Sequence, residues 1–312
     1  MRLLLLLLFL LAGCSEENPT SSAKPPTFPE PPPTFVTKWG VHGTSLGRFI
    51  YPDGIAAGPG GVIYVADTGN NRVQRFDTGG TAMGAWGGLG IADGEFYAPE
   101  GNATDGSGAV YVTDTFNHRV QKFNALGAFG LKWGDIGQAP GQFRYPCAVA
   151  VDDSEHVFVV DRDNDRVQKF DFDGTFLGAW GGLGSQPGQF DSPHGIAVDA
   201  GRNVYVTDSN NHRVQKFTSS GVFLAAWGSN STAGIQLLAP WGVAVDAAGN
   251  VYVTDADNDR VQKLSSAGEF RSSWGSSGVG DGQFSYPTGI AVDSTGAIYV
   301  TDSNNHRVQK FR

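Results

Sequence analysis

Trp39, Trp86, Trp133, Trp180, Trp227 and Trp274 stand 47 residues apart, and the same interval separates Pro52, Pro99, Pro146, Pro193, Pro240 and Pro287. Asp67 and Arg72 recur on this register as far as Asp302 and Arg307, and no insertion breaks it, so six units of 47 fill residues 31–312. A period of this length marks an array of supersecondary units, none of which can bury its faces alone. Within one unit four short apolar runs, at 195–198, 204–208, 213–217 and 222–227, have strand length, β-branched or aromatic content, and Gly, Asn or Ser at their borders. Four strands per unit is the pattern of a propeller blade. The chain is therefore expected to be all-β, a six-bladed β-propeller of four-stranded antiparallel blades occupying residues 35–312. The six Trp, and the Phe of Gly188-Gln189-Phe190 and its equivalents, are the expected filling between blades. Residues 35–40 read as a fourth strand without predecessors, and the last unit reaches Arg312 after its third strand. The N-terminal strand is predicted to complete the last blade and remove an open edge.

The 44 glycines, the 17% charged content and the near absence of an i, i+3, i+4, i+7 apolar pattern agree with a turn-rich β protein. The formal net charge is −9, and twelve of the 22 Lys and Arg sit at fixed repeat positions, which leaves no basic face for nucleic acid.

Ahead of the repeats, Arg2 and the apolar run Leu3 to Leu11 read as a secretory signal, residues 1–13, too short to span a bilayer as a mature helix. The run ends in Leu11-Ala12-Gly13-Cys14, which resembles the lipobox of bacterial lipoproteins, and Cys14 is the predicted lipidation site. Residues 14–34, rich in Pro, Ser and Thr, are expected to be a solvated tether. Ser15 follows the anchor in place of the Asp that retains lipoproteins at the inner membrane. By resemblance to that rule the expected location is the outer membrane or cell surface, facing the periplasm or exterior. Cys147 is the only other cysteine, so no disulfide framework exists.

Pro193-His194-Gly195-Ile196-Ala197-Val198-Asp199, Val204-Tyr205-Val206-Thr207-Asp208 and Asn211-His212-Arg213-Val214-Gln215-Lys216-Phe217 resemble the NHL repeat, and the match recurs through the whole chain beyond the tether. Members of that family form six-bladed propellers, which is what the resemblance implies here. It implies no particular activity.

Strand alternation places the residue after each repeated Pro at the top of an innermost strand, beside the central channel. These residues are Asp53, Glu100, Cys147, His194, Trp241 and Thr288, different in all six units although 205–217 and 299–311 are identical. A mixed ring facing one small volume is a candidate ligand site. Asp53, Glu100, Cys147 and His194 are also possible metal ligands, which makes a metal ion in the channel the cofactor to consider; none is otherwise expected. NHL-like amidating lyases resemble this chain and hold zinc with axial His residues from several blades, whereas only His194 occupies such a position here. The Asp67–Arg72 pair and its five equivalents are expected to be architecture at the second-to-third turn, with the Asp bonding turn amides. His118, His212 and His306, alternating with Asn71, Asp165 and Asp259, read as the trace of a duplicated two-blade unit. The expected function is a monomeric binding or scaffolding propeller for a protein, peptide or glycan, touching the membrane only through its lipid. The alternative is a metal-dependent lyase or hydrolase.

Overall fold

The computed structural model describes residues 29–228 and 235–312. They form six four-stranded antiparallel sheets. In blade 1 the inner strand Pro52–Gly58 is followed by Val62–Asp67, Arg72–Phe76 and the outer strand Ala82–Gly87. The inner strands of blades 2 to 6 begin at Pro99, Pro146, Pro193, Pro240 and Pro287, and each packs on its two neighbours around the axis, blade 6 against blade 1 included. Blade 6 takes its outer strand from the N-terminus: Phe35–Trp39 pairs antiparallel with Arg307–Phe311, Phe35 opposite Phe311 and Trp39 opposite Val308. The ring is closed as the repeat phase predicts.

One boundary differs from the expectation. Thr34 sends both its N–H and its hydroxyl to the Arg312 carbonyl, the Glu30 N–H bonds the Arg271 carbonyl at 2.7 Å, and the Glu30 carboxylate pairs with Lys263. The segment from Glu30 to Thr34 is thus held to the outer edges of blades 5 and 6 instead of being solvated tether. Cys14, the leader and the tether to residue 28 lie outside the described residues.

Among the described residues the buried apolar side chains fall into six clusters, each spanning one blade junction. Phe49, Phe96, Phe143, Phe190 and Phe284 are wholly buried there. Each outer-strand Trp reaches the next blade: Trp86 of blade 1 lies 5.6 Å from the Phe123 ring of blade 2. The indole face is capped by a glycine at a bottom turn, Gly127, whose φ is +89° and where a Cβ would come within 2.5 Å of the Trp86 ring, so no side chain fits. This contact, repeated by Gly80 on Trp39 and Gly174 on Trp133, explains a glycine at a fixed phase of the repeat.

The alternation of His with Asn and Asp also acquires a physical reason. Asn71, His118, Asp165, His212, Asp259 and His306 all adopt a left-handed backbone with φ between 50° and 55°. Each accepts the N–H of the residue before the next blade's Pro: Asn71 Oδ1 from Ala98, His118 Nδ1 from Tyr145, Asp165 Oδ1 from Ser192, His212 Nδ1 from Ala239, Asp259 Oδ1 from Tyr286 and His306 Nδ1 from Tyr51. Asn, Asp and His are the side chains that tolerate this conformation and present an acceptor close to the backbone. They are interchangeable parts of one joint.

Pro193 pairs with Asp208, so the start of the inner strand and the end of the second strand share one face, here called the top. By the same register Phe35, opposite Phe311, sits at the bottom. The chain therefore enters the propeller from the face opposite the inner-strand prolines.

Candidate functional site

The residues after the repeated prolines do converge. Asp53, Glu100, Cys147, His194 and Trp241 line one cavity of about 70 Å³ at the top of the channel, with a collar below of Ile55, Asn102, Val149, Ile196, Val243 and Ile290. Thr288, expected in the ring, is not part of the lining. It is 2% exposed and turns its hydroxyl toward the Pro52 carbonyl at 3.3 Å and the Thr301 hydroxyl at 3.1 Å. A small hydroxyl beside backbone carbonyls is satisfied at the junction.

The space left by Thr288 is crossed by its neighbour. Trp241, expected beside the channel, is half-buried: its ring lies 3.8 Å from that of His194, Tyr286 meets it edge-on at 5.4 Å, and Nε1 donates to Asp53 Oδ1 at 3.1 Å. The indole spans the mouth from blade 5 to blade 1, past blade 6. On the other side Arg162 of blade 3 donates from Nη1 to Glu100 Oε2 at 3.0 Å and covers the Tyr145 ring at 5.8 Å.

Arg162 was missed by the sequence argument, although a signal existed. The position after each repeated Asp holds Thr68, Thr115, Arg162, Ser209, Ala256 and Ser303. Thr68, Thr115 and Ser209 donate to the next blade's Pro carbonyl at 2.6–2.8 Å. Arg162 has no hydroxyl to offer, and the Cys147 thiol stands near the Pro193 and His194 carbonyls, at 3.5 and 3.4 Å, instead.

Burial sets the electrostatics. It raises the Glu100 carboxyl to about 8, with Arg162 opposing and Asp53 adding to the rise. Asp53 goes to about 6 for the same reason, against the Trp241 hydrogen bond and the Arg162 charge. Burial and Arg162 lower His194 to about 3, so its ring is neutral, with Nδ1–H directed at the Ser192 carbonyl 3.1 Å away. The Cys147 thiol is pushed well above its usual value by burial and is not a thiolate at neutral pH. The site is therefore nearly uncharged apart from Arg162 and whichever carboxyl has lost its proton. The four candidate metal ligands stand around the mouth, but among the described residues no group of three or more His, Cys, Asp or Glu converges on a metal position.

These values have a consequence for stability. A carboxyl whose folded pKa is raised favours folding in its protonated form, and that contribution is lost as pH rises from about 4.5 through about 8 for Glu100. Glu100→Gln keeps an acceptor for Arg162 and removes the titration. Its thermal stability relative to wild type is expected to rise by roughly 1–3 kcal/mol between pH 5 and pH 9. Parallel pH profiles of the two proteins would contradict the assignment.

Residues 49–76, 143–170, 190–217, 237–264 and 284–311 match the NHL repeat, which places it on five blades and passes over blade 2. No curated protein matches the sequence. Among solved structures, a Bacteroides thetaiotaomicron protein of unknown function is similar at 21% identity and a TM-score of 0.65, over 88% of this chain and 76% of that one. A gluconolactonase from Xanthomonas campestris is similar at 13% identity and 0.62, over 92% and 99%. Virginiamycin B lyase from Staphylococcus aureus is similar at 14% identity and 0.57, over 82% and 78%. At such identities the likeness is one of fold. The chain carries five NHL repeats and folds as a six-bladed β-propeller.

Proposed function

We propose that this protein is an exported, membrane-anchored recognition propeller that holds its ligand at the top of the central channel. One observation carries the reading. The junction joints and the Asp–Arg pairs recur blade after blade, whereas the mouth brings together blade-specific groups, with Trp241 tied to Asp53 and Arg162 tied to Glu100 across blades. Fixed polar groups facing one concave volume are the features of a binding site. The anchoring rests on the apolar run ending at Cys14. Entry of the chain at the bottom face supports it, since a tether leaving there turns the mouth away from the membrane.

For the anchor, radiolabelled palmitate is expected to enter the protein and to be absent from Cys14→Ser; label retained in that variant excludes Cys14. For recognition, the full chain and Trp241→Ala are passed over the same peptide and glycan arrays. Trp241 belongs to no buried apolar cluster, so its loss is expected to move Tm by only a few degrees. Capture by the array should weaken about thirtyfold, about 2 kcal/mol, as for a hot-spot aromatic. Equal capture would remove the mouth from the binding surface.

A second reading, a lyase or hydrolase working at the same mouth, draws on Glu100, which keeps its proton at neutral pH and could serve as a general acid. Two of the similar folds belong to a lyase and a gluconolactonase. Turnover abolished by Glu100→Gln would favour that reading; capture unchanged by it favours recognition.

A further inference from the structure

The departures from the repeat concentrate on blade 2. In the collar below the mouth, five blades present Ile55, Val149, Ile196, Val243 and Ile290, and blade 2 presents Asn102. Asn102 is 8% exposed, and neither its Oδ1 nor its Nδ2 has a partner. An unpaired buried amide costs about 1–3 kcal/mol, so an Asn held against an apolar wall has a use other than packing. On the top surface of the same blade, Tyr97 and Phe116 stack at 5.0 Å and 28° while remaining 49% and 43% exposed. The corresponding positions elsewhere hold Ile50, Arg144, Asp191, Leu238 and Ser285, and Gly69, Asp163, Asn210, Asp257 and Asn304. No other blade has two aromatics there. The platform runs without a break into the mouth: Phe116 meets Tyr145 at 5.3 Å, Arg162 covers Tyr145, and Arg162 holds Glu100.

Three features select the ligand. The cavity, about 70 Å³, admits a few water-sized groups and no large apolar anchor of the kind that peptide hot spots use. Donors and acceptors stand side by side, an amide carrying both and an Arg beside a carboxyl, which suits hydroxyl groups. Charge is balanced against ions of either sign, since an anion would meet the Asp53 carboxylate and a cation would meet Arg162. Outside the cavity, stacked flat rings offer an apolar face to a ring laid on them.

Building on the recognition reading above, we propose that blade 2 carries a binding site for a neutral saccharide. The hydroxyl-bearing edge of a terminal sugar enters the mouth against Asn102, Glu100 and Arg162, and the following ring lies on Tyr97 and Phe116.

The test uses the full chain, purified in detergent, on immobilised oligosaccharides of one to four hexose or N-acetylhexosamine units, with sialylated and sulfated forms and a peptide array beside them. Neutral oligosaccharides of two or more rings are expected to be captured in preference to their charged forms. Tyr97→Ala with Phe116→Ala should lower the affinity at least tenfold with Tm nearly unchanged. Asn102→Val, which installs the residue of blade 3, should lower it at least tenfold while raising Tm. Capture unaffected by both variants overturns the site, and preference for charged forms overturns the ligand class. Peptides captured in place of sugars, and lost in Trp241→Ala, overturn the saccharide and keep the recognition reading. Capture of neither class overturns both.

Discussion

Deleting the chain through residue 40 is expected to abolish cooperative folding, whereas deleting residues 15–28 leaves Tm within a few degrees. The first deletion removes the outer strand of blade 6, whose residues pair with Arg307–Phe311. It also removes Trp39, packed 5.8 Å from the Phe76 ring of blade 1 and 6.2 Å from Tyr299, and Phe35, edge-on to Phe311 at 6.0 Å. Truncating one buried Phe or Trp to Ala costs about 3–5 kcal/mol. Phe35 and Trp39 are partly buried, so each loses part of that, and together with an unpaired strand at the ring's closing junction the loss approaches the roughly 5–15 kcal/mol that hold a whole domain together. The second deletion takes a Pro-, Ser- and Thr-rich stretch that ends in Phe28, ahead of Glu30, the first described residue with a bond to the blades. Differential scanning calorimetry compares the two; equal melting temperatures would mean that the ring does not depend on its N-terminal strand.

The architecture was legible because a propeller writes its packing into a period. Trp39 and its equivalents had to be core, and a strand phase left without predecessors at residues 35–40 had to complete the last blade. The candidate site was legible only at the one position compared across units. Applied to the position after each repeated Asp, the same comparison exposes Arg162 among Thr, Ser and Ala; applied three residues after each Pro, it exposes Asn102 among Ile and Val. What no comparison of one position could give is how side chains reach between blades. Trp241 extends to Asp53 because Thr288, between them, turns into the junction, and that choice is made by the carbonyl of Pro52 in another blade. The repeated Asp was read correctly as architecture paired with its Arg, but with the wrong backbone amide. Its Oδ1 takes a backbone amide 17 residues back in the blade connection, such as Asp191 N for Asp208, and not a backbone amide of its own turn.

That partner makes Asp208→Ala a strongly destabilising substitution, with an expected loss of about 3–5 kcal/mol. Asp208 is wholly buried. Its carboxylate accepts from Asp191 N at 2.8 Å, from Asn211 Nδ2 at 3.0 Å, from Arg213 Nε at 2.7 Å and from Gln215 Nε2 at 3.0 Å. Arg213 and Gln215 in turn donate to the carbonyls of Ser185, Gln186 and Gln189, so one carboxylate anchors the loop that leads into Ser192, Pro193 and the mouth residue His194. Burial raises the Asp208 pKa in spite of these donors, which means that desolvation outweighs what its partners return. The strength of such a network lies in what is stranded when one member goes. Alanine leaves the Asp191 amide unpaired and the Arg213 guanidinium, with a side chain 16% exposed, without a counter-charge. Asparagine keeps an acceptor but turns an NH₂ toward donors, so it should fall between wild type and alanine. Urea denaturation measures the loss as a drop in midpoint. The same reasoning makes a non-additive prediction: replacing Asp208, Arg213 and Gln215 together by apolar residues of similar volume should cost less than Asp208→Ala alone. A triple variant weaker than the single one would show instead that the carboxylate contributes net stability where it stands.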